Sequence, residues 1–351
     1  MLPYHRSTVR AGVVTRPAIG SARRRRALAE NLLAYLFVLP AIVVILVFHF
    51  LPGFAAVYMS LFRWDIVQGT FRGLDNYATV LTGARAEEFW QSLSVTFTYT
   101  LITVPVEIVV SLVLAYLLFQ KMRGRGIYRT LYYLPYITSV IAAAVIFNWL
   151  MNPSYGLFNT LLGFVGIGPQ TWLDEPRGIV ELIAGSFGAT LPDWSPFPVG
   201  SQFRQSILAG PSLALVGVSI YTIWHYIGFQ VVIFLAGLGN ISSEYYEAAR
   251  LDGASERQLF TKITLPLLSP TTFFVATIAT IGSLKAFNQI YAMTNGGPLE
   301  TTKTLGYEIF HVFFQQGRID LGAAMAVLLT VIILAFTVFQ FRVAERRVHY
   351  G

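Results

Sequence analysis

Leu, Ile, Val and Phe gather along this chain in long blocks, and a bilayer core of about 30 Å asks for about 20 apolar residues per helix. Six blocks meet that requirement: Leu32–Gly53, Leu93–Phe119, Thr130–Met151, Leu213–Gly239, Leu267–Met293 and Leu321–Phe341. The pattern predicts an all-α membrane protein of six transmembrane helices, with both termini on one side. The connection from Asn152 to Ser212 is broken by Pro153, Pro169, Pro176, Pro192, Pro196, Pro198 and Pro211, which excludes a further span there. Within it, the 13 residues Ile179–Leu191 are too few to cross and read as a short amphipathic or surface-lying helix. The first block follows a basic stretch, as a secretory signal does. It is too long for a signal's apolar core and no small-x-small cleavage site follows, so it is predicted to be an uncleaved first helix.

Composition agrees: 55% of the 351 residues are hydrophobic and only 12% are charged. The net charge of +7 does not point to nucleic acid, because seven arginines fall within the first 26 residues, four of them at Arg23–Arg26. Such clustering is a topology signal. Lys and Arg number seven in the N-terminal tail, four in 120–129, three in 240–266 and three in the C-terminal tail, seventeen in all. The opposite connections carry three, two and two, a total of seven. Basic loops resist translocation, so both termini are predicted to be cytoplasmic. The expected organisation is a basic tail (1–30), a six-helix domain (31–342) with an external insert (152–212) and a cytoplasmic loop (240–266), and a short tail (343–351). The lack of cysteine excludes disulfides, thiolate metal sites and a cysteine nucleophile.

The cytoplasmic loop Asn240–Pro266 reads as helix, turn, helix. Asn240, Ser242 and Ser243 are candidate caps, Glu244 suits a helix start, Asp252-Gly253 supplies the turn, and Ser255 to Gln258 has capping-box spacing. Pro266 is expected to close the unit before the fifth span. Tyr245, Tyr246, Ala248, Ala249, Leu251 and Phe260 put apolar and small surfaces outside the membrane, to be covered either by a partner or by the chain itself.

Glu247-Ala248-Ala249, Asp252-Gly253-Ala254, Phe260 and Ile263-x-Leu265-Pro266 resemble the EAA loop of ABC importer permeases. That resemblance implies the type I importer architecture and a coupling helix seated in a cleft of a separate ATPase, with Glu247, Ala248, Ala249 and Gly253 as the contact core. A second segment, Lys285-Ala-Phe287-Asn-Gln-Ile-Tyr291-Ala-Met-Thr294-Asn-Gly296-Gly297-Pro298, resembles the stretch ending in T-x-GGP in maltose-type and glycerol-phosphate-type permeases, of the first-subunit kind. The resemblances imply a bacterial or archaeal plasma membrane, a second homologous permease subunit, two ATPase subunits and an extracytoplasmic sugar-binding protein. ATP and Mg would reside on the ATPases and no cofactor on this chain. The long insert around Asp174–Pro211, the arginine-rich tail and Asn288, at a place often acidic, depart from the family pattern.

Ionisable groups inside spans are costly, so Glu107 and Lys285 should not face lipid. Glu107 follows Pro105, where a kink frees carbonyls, and is expected to hydrogen-bond a neighbouring helix. Lys285, with Asn288 and Gln289, either lines a polar path, snorkels, or pairs with Glu107. In the fourth span Trp224, His225, Tyr226 and Gln230 form either a sugar-stacking cluster or an aromatic packing layer. No G-x-x-x-x-G-K-[ST], H-E-x-x-H or G-x-S-x-G motif occurs, and the five histidines are scattered, so the chain is not read as an enzyme. Energy must come from another chain or from an ion gradient. A gradient-driven transporter, with Glu107, His49 or His225 carrying protons, is the competing reading.

Overall fold

The computed structural model describes residues 19–64, 67–120, 123–190 and 209–344, with side chains from residue 30 to residue 343. Most of the basic tail, the last residues, and the insert positions Leu191, Pro192, Pro196 and Pro198 lie outside that set. The chain divides into two units, Met1–Ala55 and Ala56–Gly351; the first transmembrane helix lies mostly in the first unit, and every other feature below belongs to the second.

Among the described residues, four helices are long and apolar enough to cross a bilayer: α1 (Glu30–Ser60), α3 (Ala86–Phe119), α8 (Leu213–Gly239) and the last, Ile319–Val343 in its apolar part. Between α1 and α3 lie a two-stranded antiparallel ribbon, β1 (Phe62–Trp64) and β2 (Gln68–Phe71), and α2 (Asp75–Leu81). Two further helix pairs qualify only jointly: α4 (Arg125–Ile137) with α5 (Val140–Leu150), bent by 100°, and α10 (Glu256–Leu267) with α11 (Ser269–Leu284), bent by 63°.

The third and fifth blocks are therefore not the continuous spans expected from hydropathy. At the first break Thr138 turns to extended backbone, and its hydroxyl and N–H both take the Pro135 carbonyl, at 2.6 and 3.2 Å. At the second, Pro270 has no N–H to offer the carbonyl four residues earlier. Pro266 does not close its unit as expected: a π turn at Phe260–Thr264 absorbs it, the helix runs on to Leu267, and the bend falls at Leu268. The fifth block is broken again after Leu284, and resumes as α12 (Asn288–Met293). The chain ends in α13 (Leu305–Phe310) and α14 (Ile319–Ala344).

The insert carries α6 (Leu157–Phe164) and α7 (Ile179–Ser186). Its base is clasped by a bridge between Gly178 and Ser212, with Ile179 N–H donating to Pro211 O at 2.9 Å and Leu213 N–H to Arg177 O at 3.0 Å. Only glycine fits at 178, where a Cβ would stand 2.0 Å from the Ala209 carbonyl oxygen.

Helix α3 threads all three clusters of the core. Its first turns pack Phe89 and Leu93 against Leu305, Leu321 and Met325. Its middle packs Val95 and Tyr99 against Phe147, Leu215, Tyr221 and Ile290. Its last turns pack Ala115 and Leu118 against Phe234, Leu238 and Val275. Small residues bring helix backbones together, as apolar surroundings require. At Gly228 of α8 an added Cβ would lie 1.8 Å from the Tyr132 carbonyl oxygen of α4.

Candidate functional site: a polar cavity at a broken helix and a groove under the coupling loop

Helix α3 carries a polar stripe at helical spacing, Ser92, Thr96, Tyr99, Thr103, Glu107 and Ser111, all buried. This stripe meets the break after α11. Gln289 Nε2 donates to the Tyr99 hydroxyl at 2.9 Å, which itself donates to Thr222 Oγ1 at 2.7 Å. The Thr103 and Ser283 hydroxyls lie 3.2 Å apart. The Thr304 hydroxyl donates to the Ala286 carbonyl at 2.7 Å, occupying a backbone group that the break leaves open.

Beside this junction lies a cavity of about 200 Å³ lined by Tyr99, Glu107, Tyr136, Thr222, Tyr226, Gln230, Ser283, Lys285, Asn288 and Gln289, among others. Five of the six residues expected along a path, Tyr226, Gln230, Lys285, Asn288 and Gln289, thus line one cavity. The sixth, Trp224, points elsewhere and packs on Phe147 at 4.9 Å. His225 is buried among Tyr136, Tyr221 and Tyr226. Tyr99, Tyr136, Thr222 and Ser283 were not anticipated, although the α3 stripe alone would have led to Tyr99.

Glu107 accepts a hydrogen bond from Gln230 Nε2 at 2.7 Å, and Gln230 Oε1 accepts one from Ser111 at 3.1 Å. The contact with a neighbouring helix expected for Glu107 is present, and Lys285 forms no ion pair with it among the described residues. Lys285 and Asn288 are exposed, whereas Gln289 is buried. The cavity walls combine aromatic faces with hydroxyl, amide and carboxyl groups, a surface that can hydrogen-bond a hydroxylated solute while stacking on its apolar faces. Gln230→Leu should lower the thermal stability of the purified protein by about 1–3 kcal/mol, because it strips the partner from a buried carboxyl group, whereas Glu107→Gln should cost less. Equal melting temperatures for the two variants would count against that account.

On the other side, α9 (Ser243–Leu251) and α10 form the expected helix-turn-helix. Ser242 caps α9, its hydroxyl accepting from Glu244 N–H at 3.3 Å, and Ser255 and Gln258 complete the capping box. Gly253 takes φ +78° in the turn, with no atom within 4 Å of where its Cβ would stand. Glu247, Ala248, Asp252 and Gly253 are exposed, while Ala249, Ala254, Phe260 and Pro266 are half-buried. A groove of about 950 Å³ runs beneath, lined by Tyr116 and Phe119 of α3, by Gln120 just beyond it, and by Tyr246, Glu247, Arg250, Glu256, Arg257 and Phe260. Phe260 meets Tyr116 edge to face at 4.7 Å, and the Tyr246 hydroxyl lies 3.0 Å from Thr264 Oγ1. The chain covers only part of the loop's apolar surface: Tyr245 is 54% and Leu251 89% exposed.

Residues 76–350 match the model of a protein family described as the binding-protein-dependent transport system inner membrane component. The chain belongs to this family. Among its relatives are the trehalose/maltose transport system permease protein MalF of Thermococcus litoralis, 32% identical over 91% of this chain and 95% of its own length, and the sn-glycerol-3-phosphate transport system permease protein UgpA of Agrobacterium fabrum, 32% identical over 92% and 98%. A bacterial ABC transporter importing the acidic polysaccharide alginate contains a chain of the same fold, with a TM-score of 0.71 at 21% identity over 92% of this chain and 99% of that one. As an inner membrane component with several apolar helices, this family member is a multi-pass membrane protein. Its relatives are transport subunits, not enzymes.

Proposed function

We propose that this inner membrane component is the permease subunit of an ATP-driven importer for a di- or oligosaccharide or related polyol, in a bacterial or archaeal plasma membrane. Six spans, each bent pair counted as one, leave both termini, the tails 1–30 and 343–351 and the 240–266 loop in the cytoplasm, and the 152–212 insert outside. The polar cavity of Tyr226, Gln230, Lys285, Asn288 and Gln289 is the solute's way through. Glu247, Ala248, Ala249, Asp252, Gly253, Ala254, Phe260 and Pro266 form the surface on which an ATPase bears. The complex contains a second homologous permease and two ATPase subunits that hold ATP and Mg, and it receives solute from an extracytoplasmic sugar-binding protein. The relatives' names, together with an alginate transporter in complex with a pentasaccharide-bound periplasmic protein, support the substrate class and that last partner.

The observation that carries the proposal is the exposed Glu247–Gly253 turn above a groove whose far wall is the end of α3, the helix that also carries Tyr99 and Glu107 into the cavity. A partner pressing there acts on the element that lines the path. Glu247→Ala and Gly253→Asp should leave membrane insertion intact and lower ATP-driven uptake by about tenfold, or about 1.4 kcal/mol of coupling. At Gly253 the added side chain also strains a left-handed backbone by about 1–2 kcal/mol. Uptake in vesicles that survives ATP depletion and collapses with an uncoupler would replace this reading with a gradient-driven one. Unchanged uptake and ATPase association in both variants would remove the loop from the mechanism.

A further inference from the structure

From Thr130 to Leu173 the chain carries no Asp, Glu, Lys, Arg or His, a run of 44 positions that continues far beyond α5. After the turn at Met151–Gly156 it forms α6, and this helix is inside out by the standard of a helix in water. Leu157, Leu161 and Phe164, at i, i+4 and i+7, face outward with exposures of 50%, 51% and 83%. Its amide residue points inward. Asn159 Nδ2 donates to Pro153 O and Gln170 O at 3.0 and 2.9 Å, and Oδ1 accepts from Gln170 N–H at 3.0 Å and Trp172 Nε1–H at 2.7 Å. Four bonds to one side chain hold α6 in place with its apolar face turned out.

The junction with α5 points the same way. Trp149 and Tyr155 meet edge to face at 6.0 Å and are 71% and 64% exposed. Amphipathic rings of this kind collect where hydrocarbon gives way to headgroups. The outward face of α5, with Ile146 60% exposed, leads into that of α6. A helix with an apolar face and no charge, anchored to a span at the aromatic level, fits a lipid surface.

We infer that α6 lies in the outer-leaflet interface of the bilayer, with Leu157, Leu161 and Phe164 among the acyl chains, and that it acts as a preformed lipid-resting shelf at the root of the insert. The short helix expected from Ile179 is present as α7, and α6 is a second one that the sequence reading did not single out. The inference rests on the proposed topology, in which the insert is external.

The absence of cysteine makes the test direct. Leu161→Cys and Phe164→Cys, each carrying a nitroxide, are studied in the full-length chain within its assembled transporter, reconstituted in phosphatidylethanolamine–phosphatidylglycerol vesicles. Ile146→Cys serves as the reference for a span and Glu181→Cys as the reference for water. Labels at 161 and 164 are expected to relax with oxygen and to lose relaxation by a water-soluble nickel chelate, as at 146. Nickel relaxation matching position 181 would overturn the inference, placing α6 in water. Shielding from both agents would overturn it too, placing α6 under another protein. ATP-driven uptake measured on the same vesicles separates the two readings: water-exposed labels with normal uptake defeat only the shelf, and lipid-exposed labels without uptake defeat only the importer.

Discussion

Replacing Lys303 by methionine is expected to lower the unfolding free energy by about 3–5 kcal/mol, the cost of leaving a buried charge without its partner. Lys303 stands in the turn before α13 with only 8% of its side chain exposed, and its Nζ lies 2.8 Å from Glu308 Oε2 and 3.1 Å from Glu300 Oε1. Glu308 is fully buried, and the Lys303 ammonium is its nearest charged partner, with His311 Nδ1 farther off at 3.7 Å from Oε2. Burial pulls the Lys303 pKa down, but the Glu308 and Glu300 carboxylates outweigh it and hold the value above that of an ordinary lysine. A lysine raised in this way contributes fully below its unfolded value of about 10.4 and loses the contribution only as pH climbs through the raised one. The effect of the substitution should therefore be constant between about pH 6 and 9. Thermal melting of the solubilised protein measures it. The double variant Lys303→Met, Glu308→Leu should recover much of the loss, since removing both charges costs less than stranding one; a double variant as unstable as the single would refute the account.

Gly228→Val is expected to prevent α4 from seating on α8 and to abolish transport. The nearest atom to an added Cβ is a backbone oxygen, Tyr132 O at 1.8 Å, followed by its carbonyl carbon at 2.6 Å. A rotamer change relieves neither contact, so the helices must part. Overpacking costs about 1–3 kcal/mol where side chains can give way, and more is expected where only backbone can. The parting would also move Tyr136, which stacks on Phe229 at 4.7 Å and lines the cavity. Gly282→Ala is the control: Gly282 lines the cavity, yet no atom stands within 4 Å of its Cβ position. Its melting temperature should match that of the parent protein, and a large drop there would show that helix glycines fail here for a reason other than backbone contact.

Some of this was legible in the sequence for plain physical reasons. The Ser255–Gln258 box and the Gly253 turn depend on neighbours in the chain, and both formed as their spacing indicated. The breaks at Thr138, Leu268 and Lys285 were not legible, because hydropathy records how apolar a segment is and not the direction in which it runs. Proline was no guide by itself: Pro105 lies inside a 34-residue helix, whereas Pro270 coincides with a bend. The cluster Trp224, His225, Tyr226 and Gln230 was read by proximity in sequence, but adjacent helical positions point about 100° apart. Only Tyr226 and Gln230, four apart, share the cavity wall. The polar stripe of α3 obeyed that same rule and needed only to be read by face.

That stripe belongs to a single rod. Tyr116, at the groove, and Glu107, at the cavity, lie nine residues apart on one uninterrupted helix, about 14 Å along its axis at 1.5 Å per residue. No loop or hinge break intervenes between the two sites. A tilt imposed at the groove would reach the cavity wall as a displacement of the same stiff body, the rigid shaft that the proposed coupling requires.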